Sequence, residues 1–374
     1  MQYRKLRNGE EISVIGIGSA HLHEMNKEET NELLTYAKEQ GVNFLDLVMS
    51  YEKPLENLGY ALRDKRDAFI LQMHLGMAFP GGQYMRTRDL ALVKESFEKQ
   101  MKMLGTEYAD ILLIHYVDEE DDFDAVFSSG MYEYAKQLKQ EGKTKYIGFA
   151  SHDVEICRRF IEKEEVDVCM FSINAAYDLD PVGNLPFDEY NPVQNDEQGS
   201  AAARMAFYRE CEKRGIVLTA MKPYGGGLLL NDNTPLGQKM STSQCIQYAL
   251  DRPAVVSCLV GARNKKDLMD ALSYNTATKE EKDYAFIADM PYESMKGICV
   301  YCNHCLPCPA QIGIAAVHKY LDLYLAGDLL AKEHYKNLTN RAKDCIACGS
   351  CEKNCPFGVK IIEKMQLADA KMER

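Results

Sequence analysis

Eight short apolar runs between residues 14 and 261 are the feature that most restricts how this chain can fold. Each run has five to seven residues, and they lie at 14–18, 44–48, 69–73, 110–116, 146–150, 167–173, 216–221 and 255–261. Strings that are apolar along their whole length are typical of parallel strands buried on both faces. We therefore expect eight such strands in this part of the chain.

Amphipathic stretches separate the runs. In one of them Leu90, Val93, Phe97 and Leu104 share one face of a predicted helix that ends at Gly105. Eight strand–helix units over about 260 residues predict an α/β fold of the TIM (β/α)8 barrel type. A doubly wound sheet is the alternative, but G-x-G-x-x-G after the first strand is only half matched by GIGSAHL.

The 374 residues are enough for one large and one small domain, and 46% hydrophobic with 27% charged residues is typical of a globular protein. A net charge of −12 argues against nucleic acid or an anionic membrane as the main partner. The start, MQYRKLRNGEEIS, has no apolar segment of the signal-peptide kind, and no run of about 18 apolar residues follows. We expect a cytoplasmic protein with reduced cysteines.

Eight of the 13 cysteines lie in two runs near the C-terminus. They are Cys299, Cys302, Cys305, Cys308, Cys345, Cys348, Cys351 and Cys355. The second run has the C-x2-C-x2-C-x3-C-P spacing of bacterial [4Fe–4S] proteins, and the first is one residue shorter before its last cysteine. In this pattern the cysteine before proline usually serves the other cluster. The spacing therefore predicts two [4Fe–4S] clusters as cofactors.

Two other interpretations of the cysteine runs are weaker. Disulfides need an oxidising compartment, and structural zinc normally uses two separated cysteine pairs rather than four cysteines in about ten residues. The other cysteines are scattered through apolar segments and are expected in the core; they are Cys157, Cys169, Cys211, Cys245 and Cys258. We predict a barrel over 1–285 and a small α-rich, ferredoxin-like dicluster domain over 286–374.

Polar side chains stand where the second, third and fourth predicted strands end. Asp46 and Tyr51 follow the second strand, His74 the third and His115 the fourth. Because a TIM barrel places its chemistry at the C-terminal ends of its strands, we expect these four side chains at one mouth. A phenol beside an imidazole can donate a proton to a carbonyl oxygen.

Around these residues the chain resembles the aldo/keto reductases, in the bacterial branch fused to a dicluster ferredoxin module. GVNFLDLVMSY, LGYAL, DILLIHYVD, EGKTKYIGFAS, KPYGGGLL and VGARN carry the resemblance over roughly residues 3 to 275. It implies NAD(P)H-dependent carbonyl reduction by an Asp–Tyr–Lys–His tetrad. Tyr51 would be the general acid, Asp46 its partner and His115 the residue that orients the carbonyl. His74 stands where the tetrad lysine is expected.

The resemblance also implies a nicotinamide site, in which NADP(H) is expected and a flavin is not excluded. Its predicted residues are Ser151, His152, Asn174, Pro223, Tyr224, Gly225, Gly227, Gly261, Arg263 and Asn264. Ser151 fits a contact to the nicotinamide amide, whereas His152 replaces the usual Asn. Arg263 could pair with a 2′-phosphate and so favour NADP, with a solvated Arg on a turn as the alternative.

Three further segments have less specific interpretations. Arg86 and Arg88, after the third strand, could face an anionic substrate or cofactor, but a solvated or helix-capping role is favoured. The acidic run 118–124 is interpreted as a solvated surface. The polar stretch 177–200 is expected to be a long loop on the active-site face.

Two functions of different classes remain open at this stage. The first is an oxidoreductase that acts on a small carbonyl or alcohol and exchanges electrons through its clusters with an external carrier. The second is an iron–sulfur electron carrier whose barrel is a docking scaffold or runs non-standard chemistry, which the missing tetrad lysine favours. A purely structural role for the clusters is a third reading.

Overall fold

The computed structural model describes residues 1–49, 51–179, 200–289, 297–325 and 328–373. The chain divides into two compact units, Met1–Ser294 and Met295–Arg374. Most of the predicted loop at 177–200 lies outside the described residues. The boundary after residue 285 stays a prediction.

The first unit is a closed barrel of eight parallel strands, so the predicted fold class is confirmed. Its strands are β3 (Ile15–Gly18), β4 (Phe44–Asp46), β5 (Ile70–Leu75), β8 (Ala109–Ile114), β9 (Thr144–Ser151), β10 (Val168–Ser172), β11 (Val217–Met221) and β12 (Val255–Gly261). Each strand pairs with the next barrel strand along the chain, and β12 closes the ring on β3. All eight apolar runs supply a strand.

In the described part of the chain, four short strands lie outside the barrel. β1 (Tyr3–Lys5) and β2 (Glu11–Ser13) form an antiparallel hairpin before the first barrel strand. β6 (Met77–Ala78) and β7 (Met85–Arg86) form a second antiparallel pair after β5. This second pair lies on the C-terminal side of the strands, where it contributes to the mouth of the barrel.

Helices follow the barrel strands in the expected alternation. They are α1 (Lys27–Glu39), α2 (Pro54–Leu62), α3 (Leu90–Leu104), α4 (Glu120–Ser128), α5 (Met131–Gln140), α6 (Val154–Lys163), α7 (Ala175–Asp178), α8 (Ser200–Arg214), α9 (Thr242–Leu250), α10 (Lys265–Leu272) and α11 (Lys279–Lys282). The predicted stripe on α3 is buried at Val93, Phe97 and Leu104. The helix ends at Gly105, whose φ of 66° places it in the left-handed region that glycine adopts freely.

Two layers of apolar side chains result from the period of two along each strand. Phe44, Ile70 and Ile111 belong to the cluster inside the barrel. Leu45 and Leu71 belong to the cluster between strands and helices. Side chains two or four residues further along each strand face the same way. Asp46 therefore faces inward like Phe44, His74 like Ile70, and His115 like Ile111.

The second unit is α-rich. It contains α12 (Ile314–Leu325), α13 (Leu330–Lys336), α14 (Ser350–Lys353) and α15 (Ile361–Met372). The first two helices form the predicted helical insert between the cysteine runs. Within the described ranges no helix is long and apolar enough to span a membrane.

Candidate functional site

A chain of hydrogen bonds crosses three neighbouring strands at the mouth of the barrel. Asp46 Oδ1 lies 2.9 Å from His74 Nε2, and His74 Nδ1 lies 3.2 Å from His115 Nδ1. Gln72, on the same inward face of β5 as His74, donates to Asp46 Oδ1 at 2.7 Å. All four side chains are buried. Strand alternation thus brings three of the four predicted catalytic residues together.

Tyr84 extends this chain, and the sequence interpretation missed it. Its hydroxyl lies 2.8 Å from His115 Nε2, and only 4% of the residue is exposed. It directly precedes β7, so the hairpin after β5 carries it to the mouth. The only signal in the sequence was its position in the polar loop after the third strand. We call Asp46, His74, His115 and Tyr84 the relay.

The protonation state of His115 follows from its surroundings. Burial, together with the neighbouring His74 and Arg88, holds the pKa of His115 well below its usual value of 6.5. A neutral imidazole has one donor nitrogen and one acceptor nitrogen. His115 can therefore accept from Tyr84 while donating to His74, or accept from His74 while donating to Tyr84. One proton separates these two arrangements of the relay.

Tyr51 occupies a different position at the mouth. Its ring lies 5.4 Å from that of His23, between centroids, and its backbone forms an isolated bridge with Gln83. His23 belongs to the 3-10 helix that follows β3. The structure therefore places Tyr51 next to the hairpin segment that carries Tyr84. Its predicted role as the general acid stays a prediction.

The two arginines of the loop after β5 face inward instead of solvent. Arg88 donates to Asp122 Oδ2 at 2.7 Å and to the carbonyl oxygens of His115 and Tyr116 at 2.8 Å. Arg86 stacks over the ring of Tyr116, 4.6 Å from its centroid, and also bonds Asp122. Their favoured interpretation as solvated or capping residues was wrong, because both bind backbone or ring atoms at the end of β8.

The acidic run 118–124 is likewise only in part a solvated surface. The side chains of Asp118 and Asp122 are each 12% exposed. Asp118 accepts hydrogen bonds from the Ser151 hydroxyl at 2.9 Å and from the His152 backbone N–H at 2.7 Å. Burial would raise the pKa of Asp118, but His152 and Ser151 outweigh it and hold that pKa below its usual value. The interpretation failed because these carboxylates have inward-facing partners.

His152 links Asp118 to a lysine that the sequence interpretation did not consider. His152 Nδ1 lies 2.9 Å from Asp118 Oδ2, and Lys222 Nζ lies 2.7 Å from His152 Nε2. Burial and then the ammonium of Lys222 lower the pKa of His152. A neutral ring that donates to Asp118 and accepts from Lys222 satisfies both contacts. Lys222 follows β11 with a φ of 54°, a strained value for a residue other than glycine.

The remaining predicted amide contacts also have internal partners. Ser151 is fully buried and bonds Asp118. Asn174 donates to the Lys222 carbonyl oxygen at 2.9 Å and caps α7 by accepting from the backbone of Tyr177 at 3.0 Å. The described residues therefore already use the polar groups that were predicted to hold a nicotinamide amide, so that end of the cofactor does not fit the structure as it stands.

The turns after β11 and β12 are better suited to a cofactor. Pro223 and Gly225 are buried, and Gly227, with a φ of 95°, has nothing within 4 Å of a built Cβ. The hydroxyl of Tyr224 is buried in the core without a hydrogen-bond partner among the described residues. Of this set, Gly227 therefore offers the open space that a ligand backbone would need.

The end of β12 has an exposed glycine and a helix N-terminus. Gly261 is exposed, and Asn264 caps α10 by accepting from the Asp267 N–H at 3.0 Å. Arg263, half exposed, forms an ion pair with Asp267 at 3.0 Å. Backbone N–H groups at a helix N-terminus suit a phosphate. This turn fits the phosphate-bearing end of a dinucleotide, although Arg263 would have to leave Asp267 to pair with a 2′-phosphate.

In the second unit the eight cysteines separate into two sets of four around two concavities. One is lined by Cys299, Cys302, Cys305 and Cys355. The other is lined by Cys308, Cys345, Cys348 and Cys351. The cysteine before proline in each run therefore faces the concavity of the other run. This is the crossed arrangement that the spacing predicts for two [4Fe–4S] clusters.

The lining of each concavity suits a cluster. Apolar side chains surround the thiols, including Val300 and Val359 in one and Ile312 and Met365 in the other. In the described part of the chain no three metal-ligating side chains are close enough to share a single ion. Each concavity instead offers four thiols, the number that a cube of iron and sulfide needs. The other five cysteines are buried as expected.

Burial raises the pKa of Cys299 to about 12 and that of Cys351 to about 11. These thiols are therefore protonated at neutral pH until a cation binds. Bound iron stabilises the thiolate and releases the protons. Cys299 and Cys351 thus have the chemistry of cluster ligands rather than of free nucleophiles.

The fold and the mouth define a TIM-barrel protein with a candidate active site, and the model of the aldo/keto reductase family matches residues 14–245. The chain belongs to that family. The model of a 4Fe-4S dicluster domain matches residues 298–360. The suspected fusion of the two modules is confirmed.

Curated relatives share the barrel. The chain is 25% identical over 295 residues to the uncharacterized oxidoreductase YqkF of Bacillus subtilis (strain 168), covering 75% of this chain and 94% of the relative. It is 25% identical over 314 residues to prostaglandin F synthase 1 of Bos taurus, covering 79% and 89%. Oxidoreductase chemistry of the aldo/keto reductase type is therefore established, without a specific reaction.

Solved structures show the same fold. The holo form of aldo-keto reductase AKR11C1 from Bacillus halodurans superposes with a TM-score of 0.59 at 19% identity, covering 77% of this chain and 96% of that one. The aldo-keto reductase AKR2E5 complexed with NADPH gives a TM-score of 0.54 at 17% identity, covering 78% and 88%. At these identities the likeness concerns the fold alone.

Proposed function

We propose that the barrel interconverts a small carbonyl compound and its alcohol with NADP(H), and that two [4Fe–4S] clusters exchange electrons with an external carrier. The relay is the observation that carries the proposal. Carbonyl reduction needs a proton at the substrate oxygen, and the relay is a buried series of groups that can supply one. Its last member, Tyr84, is a phenol of the kind that serves as a general acid.

The proton path runs through three hydrogen bonds. Before transfer, the imidazolium form of His74 is paired with the Asp46 carboxylate and donates its Nδ1 proton to His115. Tyr84 gives its proton to the carbonyl oxygen and recovers one from His115 Nε2, while His115 Nδ1 takes the proton of His74. Asp46 stays ionised throughout and orients His74. In this path the His74–Asp46 pair supplies the charge that the tetrad lysine would carry.

Cofactor binding is assigned to the turns after β11 and β12. Gly227 leaves room for a dinucleotide backbone. The exposed Gly261 precedes the N-terminus of α10, which together with the neighbouring Arg263 suits phosphate. The sets Cys299/302/305/355 and Cys308/345/348/351 would hold the clusters. When bound, the nicotinamide exchanges a hydride and the clusters exchange single electrons. Ser151, His152 and Asn174 would have to change partners before they could contact the amide.

The test is NADPH-dependent reduction of a panel of small aldehydes and ketones by anaerobically prepared protein. We expect turnover in the parent. Asp46→Asn and Tyr84→Phe should each lower kcat by at least about 100-fold, the usual contribution of a positioned acid and its partner. Tyr132→Phe, in the first turn of α5, removes the hydroxyl of a buried tyrosine that donates to the Glu165 carbonyl oxygen at 3.3 Å, and it serves as the matched control.

A fourth variant, Tyr51→Phe, identifies the phenol. We expect the larger loss in Tyr84→Phe, because Tyr84 is the phenol of the relay and is bonded to His115. A larger loss in Tyr51→Phe would assign the acid to Tyr51, as the family resemblance implies. Parent-like turnover in Asp46→Asn would exclude the relay from the reaction.

The second candidate function is an electron carrier whose barrel acts as a scaffold. The internal hydrogen bonds of Ser151, His152 and Asn174 support it, because they use the groups that would hold a nicotinamide. This reading predicts clusters that pass electrons between a reductant and an acceptor protein, with no NADPH-dependent turnover of any carbonyl in the panel. The same assay therefore separates the two functions.

A further inference from the structure

His318, in α12, is a buried side chain without an internal partner. It is 0% exposed, and neither ring nitrogen has a hydrogen-bond partner among the described residues. Buried side-chain donors and acceptors are rarely left unpaired in folded proteins, because desolvation is then uncompensated. The ring therefore points to a partner that the polypeptide does not supply.

The position of the ring identifies the class of that partner. His318 lines the concavity of Cys299, Cys302, Cys305 and Cys355, the set proposed to hold one cluster. Nearby polar groups satisfy one another, since Lys364 Nζ and the Tyr301 hydroxyl both donate to Asp322, at 2.8 and 2.9 Å. The sulfurs of a bound cluster are hydrogen-bond acceptors within the same concavity.

Among the described residues that line the second concavity, there is no comparable group. Apart from its four cysteines, its lining side chains are all apolar; they are Pro309, Ile312, Ile314, Ile346, Ala347, Ile361, Ile362 and Met365. The two cluster sites are therefore chemically unequal, although their cysteine sets mirror each other. One has a buried imidazole in its wall, whereas the lining of the other, apart from its cysteines, is apolar.

We propose that His318 donates a ring N–H to a sulfur of the cluster held by Cys299, Cys302, Cys305 and Cys355, and thereby raises the reduction potential of that cluster alone. A hydrogen bond to a cluster sulfur withdraws negative charge and so favours the more negative, reduced state. His318 is a positioning and tuning residue rather than a fifth ligand. This inference goes beyond the proposed function, since it requires the clusters and no particular reaction of the barrel.

The experiment uses full-length protein carrying both clusters, prepared without air and labelled with 15N-histidine. Pulsed electron paramagnetic resonance of partly reduced samples measures nitrogen coupling to a cluster, and a potentiometric titration measures both midpoint potentials. We expect a 15N coupling on one cluster in the parent. His318→Leu should abolish the coupling and shift the midpoint of that cluster to more negative values, leaving the other unchanged. His318→Gln keeps an N–H donor, so its midpoint for that cluster should lie between those of His318→Leu and the parent.

His334→Leu is the matched control, because His334 is an exposed histidine of the same unit. It should leave the coupling and both midpoints as in the parent. Absence of any 15N coupling in the parent would overturn the inference whether or not a variant folds. A His318→Leu protein with a full complement of iron and unaltered midpoints, or with both midpoints moved equally, would also overturn it.

Discussion

At the residue scale, two histidines in the barrel mouth are held in their neutral form. Burial lowers the pKa of both His115 and His152 from the usual 6.5, with help from the cations next to each ring. At pH values between the lowered pKa values of the folded protein and the ordinary pKa of 6.5, the unfolded chain binds more protons than the folded one. Stability is therefore fully present above about pH 6.5 and decreases as the pH falls through that value.

Replacing one of these histidines should make the stability of the barrel measurably less sensitive to acid. His115→Gln loses hydrogen bonds and is expected to be less stable than the parent at pH 7.5. The decrease in its free energy of unfolding between pH 7.5 and 5.5 should be smaller than that of the parent, by up to about 1.4 kcal/mol for each pH unit below 6.5. Denaturant midpoints of the barrel, followed by far-ultraviolet circular dichroism, measure both quantities. His334→Gln is the exposed control, and identical pH slopes in parent and His115→Gln would contradict the argument.

Individual site residues could be predicted where strand alternation fixes them. Asp46, His74 and His115 continue the inward-facing positions of their strands, so their convergence follows from a period of two. Tyr84 depends on a hairpin of two-residue strands, which no periodicity reveals. Lys222 depends on a strained backbone angle, which comes from tertiary contacts and not from local propensity.

At the element scale, a buried ion pair joins the helices on one side of the barrel. Arg204 of α8 donates to Asp178 of α7 at 2.7 Å, and the hydroxyls of Tyr208 and Tyr248 bond the same carboxylate at 2.7 and 3.1 Å. Arg204 is 1% exposed. Removing the carboxylate would leave a guanidinium buried without its counterion, which is costly in a medium of low dielectric constant.

We expect Asp178→Asn to lower the free energy of unfolding of the barrel by about 3 kcal/mol. Tyr248→Phe removes one hydrogen bond from the same carboxylate and should cost about 1 kcal/mol. Urea midpoints of both variants and the parent give the comparison. Equal losses in the two variants would mean that the ion pair contributes no more than a single hydrogen bond.

The barrel strands were predictable because each lies in a short run that is apolar along its whole length, and α3 was predictable because its apolar side chains recur with the period of a helix. The acidic run 118–124 was misread because charge alone does not reveal an inward-facing partner. Asp118 faces Ser151 and His152, and Asp122 faces Arg88; all these contacts join segments distant in the sequence.

At the scale of the whole molecule, the chain combines two compact units with different chemistry. The barrel provides a mouth with the hydrogen-bonded residues of the relay, and the second unit provides two groups of four thiols. Spacing predicted the grouping of the eight cysteines, because a two-residue spacer lets three thiols reach one cube and the cysteine before proline usually serves the other cluster. The inequality of the two cluster sites was not predictable, since it depends on which face of α12 carries His318.

The most direct test of this account is a determination of iron and acid-labile sulfide in protein prepared without air. Two cubes require about eight of each per chain. Cys355→Ala should disturb only the cluster of Cys299, Cys302 and Cys305, and Cys308→Ala only the other. Folded, colourless parent protein with no iron, or with only about four irons per chain, would contradict the account.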